Sequence, residues 1–352
     1  MKRRQEVTST SPTRRLLHGG DINVPLDITV EILKILPTKS IVRFQCVSKL
    51  WSSIISRRRD FIDWIITRSL TQPPRDAYFI ASKSYTECYL TLSSSNAKES
   101  ILIPGEFRHY LRGLVCCSNS GKVTIYNLTT RQSFNLPETK TMHMSTCFLG
   151  YDPIENQYKV LLSCQVFTLG ETKTKKWKTI HGVGSHLPLP GGVCINGTIY
   201  YQAGTTEWNA TSLYKLMSFD VRSEEFYHVD APKTLMDQRL SLINYQGKLG
   251  FVCCAKGVEV WVMETQGWSK ILSIEMEGSD KWRSMGVNRG GEIVFVNLAP
   301  YKSHEVLCVL YYDLNRNSKR YVELEGIYPK KINNVISIWT VPDFVENTMR
   351  LY

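Results

Sequence analysis

Two hydrophobic periods divide the chain. Between Asp27 and about Ser56 the apolar residues recur at helical spacing. Ile28, Ile32, Leu33 and Leu36 read as one stripe, and Leu36 precedes Pro37, a context that disfavours helical geometry and predicts a stop there. Thr38 or Ser40 can cap a second helix carrying Ile41, Val42, Phe44 and Val47, and Leu50, Trp51, Ile54 and Ile55 mark a third. Three short helices are predicted. After about Pro74 the period changes to short strands broken by turn residues.

The strand region repeats. Each unit has an aromatic, then a turn, then a second aromatic: Tyr126 with Phe134, Phe167 with Trp177, Phe219 with Phe226, Trp261 with Trp268, and Tyr312 with Tyr321. Three units are preceded by a hairpin signal, in "INGTIYY", "YQGKLGFV" and "RGGEIVFV". Four strands per unit, recurring at roughly 40 to 50 residues, is the period of a β-propeller blade. The pieces "AYFIA", "CYLTL" and "SILIP", together with "VISIWTV" near the C-terminus, supply one more blade. About six four-stranded blades result, and pairing the first strands with the last closes the ring and leaves no open sheet edge. The fold class is α+β and multidomain: small N-terminal helices followed by an all-β propeller.

Composition narrows the chemistry. With 352 residues, 43% of them apolar, the chain can bury a large core. It has no apolar run long enough to cross a membrane as a helix. The first residues, "MKRRQEVTSTSPTRRLL", lack the apolar stretch of a secretory signal, so the expected location is nucleus, cytoplasm or both. The ten cysteines are then expected as free thiols. Cys116-Cys117 and Cys253-Cys254 are adjacent pairs, which point to opposite faces of a strand and cannot share an ion. His181 and His186 make no ligand set, so no metal and no cofactor are expected. The net charge of +11 is scattered over an N-terminal arm, Arg57 to Arg59 and Lys173 to Lys178, a weak footprint for nucleic acid. A helix-turn-helix would need Arg, Asn or Gln at base edges, whereas "SKLWSSIIS" offers serines and apolar groups. No nucleophile elbow, zinc motif or phosphate loop supports a propeller enzyme.

The helical segment is smaller than the roughly 40 residues at which a domain can usually bury its own core. Its apolar surplus must be covered by the propeller or by another protein. "VPLDITVEILKILPTKSIVRFQCVSKLWSSII" resembles the F-box, with Pro25, Asp27, Ile28, Glu31, Ile32, Leu33, Leu36, Pro37, Ser40, Cys46, Val47, Lys49 and Trp51 on the family's pattern. Val24 stands where Leu is usual and Gln45 where Arg is common.

The resemblance implies docking on a Skp-type adaptor, and through it on the cullin and RING subunits of an SCF ubiquitin ligase. Pro25, Ile28, Leu36, Pro37, Ile41, Val42 and Cys46 fall where members touch the adaptor. Ile32, Leu33, Val47 and Trp51 match positions that hold the helices together or fill the interface edge. The remainder, from "GLVCCSN" through "FDVRSEEF", resembles the type 3, kelch-like F-box-associated domain of plant proteins, which implies recruitment of a target protein. The expected organisation is a disordered basic arm (1–20), an F-box (21–68) and a propeller-like domain (75–352). The implied role is a non-catalytic adaptor. Trp208, in the irregular stretch "AGTTEWNATS", is the candidate for target binding, since loops on a rigid scaffold carry recognition. The repeated aromatics are expected to pack between sheets.

Overall fold

The computed structural model describes residues 24–73, 78–84, 87–94, 97–119, 121–139, 146–170, 176–181, 186–205, 213–238, 240–297, 307–324 and 337–351. The expected basic arm and Trp208 lie outside them. Helices α1 (Leu26–Lys34), α2 (Thr38–Phe44), α3 (Lys49–Arg57) and α4 (Arg59–Thr71) come first. The sequence pattern predicts three helices; the structure has four. Within the basic run Arg57–Arg59, which the sequence shows only as scattered charge, Arg58 alone leaves helical geometry, at φ −75° and ψ 110°, and the next helix starts at once. Phe61, Ile62, Ile65, Ile66 and Ser69 form its buried stripe.

The caps also differ from expectation. Pro37 occupies the N-cap position of α2 without a side-chain bond. Thr38 sends its hydroxyl instead to Glu346 Oε2, 2.7 Å away. Helix α3 is capped by Ser48, whose Oγ accepts from the Trp51 amide at 3.1 Å.

From Tyr78 onward the described residues form six antiparallel sheets, five of four strands and one of five, with a short α-helix at Lys233–Asp237 and a 3-10 turn at Ser279–Lys281. In the first sheet Ser337–Val341 pairs with Tyr78–Ser84, Ile80 opposite Trp339, so the two ends of the β region close the ring as the sequence expects. The other sheets occupy residues 106–135, 147–179, 186–229, 241–274 and 282–324, each built from strands consecutive in sequence. Neighbouring sheets touch mainly through the strands at one end of each, the first or second in sequence except in the first sheet, where Ser337–Val341 takes that place. The hairpin signals form as read: Asn196-Gly197 and Gln246-Gly247 both adopt positive φ, the geometry that matches strand twist. Arg112-Gly113 makes a third such turn.

The repeated aromatics pack within and between sheets. Phe219 and Phe226 are direct cross-strand partners with ring centroids 4.8 Å apart. Phe167 meets Trp177 at 5.5 Å, and Trp268 meets Phe251 at 5.3 Å. Trp177 and Trp268 each donate an indole N–H across to the preceding sheet, to the Pro137 and Asp230 carbonyls, both at 2.7 Å. Cys116 and Cys117 face opposite sides of their strand and enter two different cores, as adjacent strand residues must. The described cysteines are free.

Candidate functional site

The four helices share one small core. Val30, Leu33, Ile41, Ile54, Ile55, Phe61 and Ile65 are buried in it, with Leu36, Phe44, Trp51 and Trp64 packed around them. Trp51 sits edge-on to Phe44 at 5.4 Å. Helix α1 is apolar on two sides. Val30 and Leu33 point inward, whereas Ile28, Ile32 and Ile35, spaced four and three apart, point out, Ile35 being 81% exposed. The single stripe read from the sequence is therefore split between core and solvent.

The predicted contact residues divide accordingly. Pro25, Ile28, Pro37 and Cys46 are exposed, and Leu36 and Val42 are half-buried. Ile41 is fully buried, so it supports the face rather than forming it. Leu33 is likewise buried, as a helix-holding residue should be. Ile32 and Val47, expected to pack the helices or the interface edge, stand exposed. Val24, Leu26 and Leu50 are also exposed, which leaves the helical unit with the apolar surface its length cannot hide.

Helix α4 and the C-terminal segment fix this unit to the ring. Ile62 and Ile66 pack on Val345, with Met349 beside them. Arg68 donates to the carbonyls of Lys34 (3.1 Å) and Leu36 (2.8 Å), and to the Thr38 hydroxyl at 2.5 Å. Its guanidinium lies 4.6 Å over the Trp64 ring and 3.9 Å from Glu346. Burial pulls its pKa down while Glu346 opposes the shift. Ser69 Oγ accepts from the Glu346 amide at 3.0 Å, and Arg289 donates to the Ser69 carbonyl. The Arg350 amide reaches the Ser56 carbonyl at 3.0 Å. On the ring side Asn347 is buried, donating to the Arg112 carbonyl (2.8 Å) and the Tyr158 hydroxyl (3.3 Å). None of these contacts was visible from the sequence pattern, because the residues concerned are far apart along the chain and most of them are polar.

A second concavity lies on the ring's axis, a cavity of about 280 Å³ lined by first strands from several sheets. His109 is buried beside it. Its Nδ1 accepts from the Leu149 amide and its Nε2 donates to the Gly192 carbonyl, both at 3.0 Å. Burial holds its pKa down to about 4, so the ring is neutral and both nitrogens are engaged in joining three sheets. Among the described residues no three His, Cys, Asp or Glu side chains form a metal-holding group. His186 bonds the Tyr201 hydroxyl at 2.9 Å. Among the described residues no helix is long and apolar enough to cross a membrane.

Comparison with known proteins agrees with this geometry. Residues 22–63 match the F-box domain, and residues 68–345 match the F-box associated beta propeller domain. An F-box protein of Arabidopsis thaliana is 49% identical, covering 99% of this chain and 98% of its own. A second from the same plant is 50% identical over 74% of this chain and 94% of its own. A third is 40% identical over 94% and 88% respectively. Four helices with an uncovered apolar face, strapped to a closed ring of sheets, thus belong to the family of F-box proteins with an F-box-associated β-propeller domain.

Proposed function

We propose that this chain is the substrate-receptor subunit of an SCF-type ubiquitin ligase. The helices dock on a Skp-type adaptor, which carries the cullin and RING subunits, and the propeller holds the target protein. The chain performs no chemistry of its own: it raises the local concentration of target lysines at the ubiquitin-charged enzyme. The observation that carries this reading is the outward apolar face of Ile28, Ile32 and Ile35, which packing among the described residues leaves uncovered. The buried face of the same helix already satisfies the core. The axial histidine, His109, is fully engaged by backbone groups, which disfavours a propeller enzyme. The site of action is the nucleus, the cytoplasm or both.

Co-expression with a Skp-type adaptor tests the proposal. The two chains should co-elute on size exclusion, and replacing Leu36 and Pro37 together by Ala should abolish the complex. Co-elution unchanged in that double variant would defeat this interface. Proximity labelling with the intact chain and with one lacking residues 23–56 should then show target proteins accumulating when the helices are gone.

A further inference from the structure

We infer that the axial cavity of the propeller is a peptide-binding site, and that it takes a segment in which a side-chain carboxylate stands next to an apolar side chain. The inference rests on the receptor reading only for the peptide's source, a target protein. Four observations carry it.

The first is charge. The cavity wall includes two arginines and one carboxylate among its lining residues. Arg108 is occupied, its Nη2 on Glu106 Oε2 at 2.9 Å and its Nε on Ser118 Oγ at 2.6 Å. Asp343 is paired with Arg289. Arg283 is different: its side chain is exposed and has no ion pair among the described residues. Among the described residues one positive charge in the wall is therefore unbalanced, and a guanidinium is the side chain best shaped to hold a carboxylate through two parallel bonds.

The second is an orphaned hydroxyl. Ser284, the next residue, is only 3% exposed, and its Oγ has no hydrogen-bond partner although it lines the same cavity. A buried hydroxyl without a partner is rare enough to require an explanation, and a ligand atom in the cavity supplies one.

The third is backbone geometry. Two of the lining strands carry β-bulges at the cavity, one between Phe107 and His109 and one between Ser284 and Gly286. Bulges interrupt pairing and re-aim side chains, and they concentrate next to binding sites. Gly286 is held at φ +126°, where an added Cβ would lie 2.6 Å from Pro342 Cγ, so the second bulge is locked in place by its neighbour.

The fourth is the apolar wall. Phe107 and Trp339, with rings 5.5 Å apart, and Met285 line the same cavity as Arg283. At about 280 Å³ the space suits one or two side chains and sits just below the range of cavities that enclose a whole drug-sized molecule. Arg283 lies near the start of its strand, whereas Arg289, just past its end, reaches Ser69 of α4. The charged end of the cavity thus faces away from the helices and leaves the adaptor face free.

Fluorescein-labelled, end-capped peptides of five residues provide the test, titrated by anisotropy into the full chain. One series carries Leu-Glu or Phe-Glu at its centre, the second Leu-Gln or Phe-Gln, the third Leu-Lys. The Glu peptides should bind at least tenfold tighter than the Gln peptides, and the Lys peptides should not bind. Arg283→Glu should remove the preference for Glu, Arg283→Lys should retain part of it, and Ser284→Ala should weaken binding about fivefold. Binding of the Skp-type adaptor should be the same for all variants, so failure of these peptide outcomes with adaptor binding intact refutes only this inference. Equal affinity for Glu and Gln peptides, no binding of either, or Glu binding that survives Arg283→Glu would overturn it. Competition by 3-phenylpropionate as strong as that by the peptide would also overturn it, in favour of a small-molecule site.

Discussion

Replacing Ile28, Ile32 and Val47 together by Ser isolates the face of the helical unit from its core. These side chains are 53%, 41% and 59% exposed, so covering them would remove from water the equivalent of about one and a half aliphatic side chains. At about 1.5–3 kcal/mol for each fully buried side chain, the triple variant should bind a Skp-type adaptor more weakly by roughly 2.3–4.5 kcal/mol. That corresponds to about a 40- to 1,600-fold rise in Kd, at ~1.4 kcal/mol per decade. Calorimetric titration of the purified adaptor measures it. The melting temperature should fall far less than for a core substitution, because about half of each lost side chain already faces solvent. The contrast is Ile41→Ala, which empties a fully buried position and should cost about 2–5 kcal/mol of stability whatever it does to binding. A triple variant that stays folded and binds within threefold of the parent chain would show that the adaptor uses another surface, and the assignment of α1 would fail.

Two further outcomes follow from the ring. His109 is held at a pKa of about 4, below its ordinary 6.5, so the unfolded chain binds more protons as the pH falls between those values and stability is lost over that window. In urea unfolding at pH 5 against pH 7, the parent chain should lose about 2 kcal/mol more than His109→Gln, whereas parallel losses would mean the imidazole is not buried neutral. Gly113 sits at φ +85°, with space for a Cβ blocked by the Val345 carbonyl at 2.5 Å and Asn347 Cβ at 2.8 Å. Gly113→Ala should therefore destabilise by at least about 1–2 kcal/mol, from the backbone conformation alone, and should speed proteolytic release of the C-terminal segment. A cleavage rate equal to the parent's would place that segment's anchorage elsewhere.

Much of the architecture was legible because it obeys local rules. Asn196-Gly197 and Gln246-Gly247 announce hairpins by the conformations they permit, and the aromatics on the outer strands repeat because every sheet packs on its neighbour in the same way. The division of α1 was not legible. Ile32 and Leu33 are both aliphatic, and periodicity reports which residues share a side without reporting which side meets solvent. Helix α4 was missed because a cluster of three arginines precedes it. The strap was invisible for a different reason: Asn347 is a fully buried polar residue whose partners, Arg112, Thr129 and Tyr158, lie some 200 positions earlier. The axial cavity shares that difficulty, since its wall is assembled from strands far apart in the chain and only the closed ring brings Arg283, Phe107 and Trp339 together.

The strap has a consequence for how such a receptor can work. Residues Ser337–Val341 close the ring, and the next ten residues run directly beneath α4, where Val345 and Met349 meet Ile62 and Ile66, and Glu346 meets Thr38 and Arg68. Closing the propeller and orienting the helices are thus done by one continuous stretch of chain. Phe61 and Ile65, on the other side of α4, belong to the core behind the exposed apolar face. Helix α4 is therefore shared between the two units and allows neither to rotate alone. A flexible tether would spread a bound target over a large volume and dilute it, whereas a rigid coupling confines it to one region near the catalytic partner. The advantage depends on geometry alone, so loosening the strap should lower the rate of ubiquitin transfer to a bound target even where both binding affinities are unchanged.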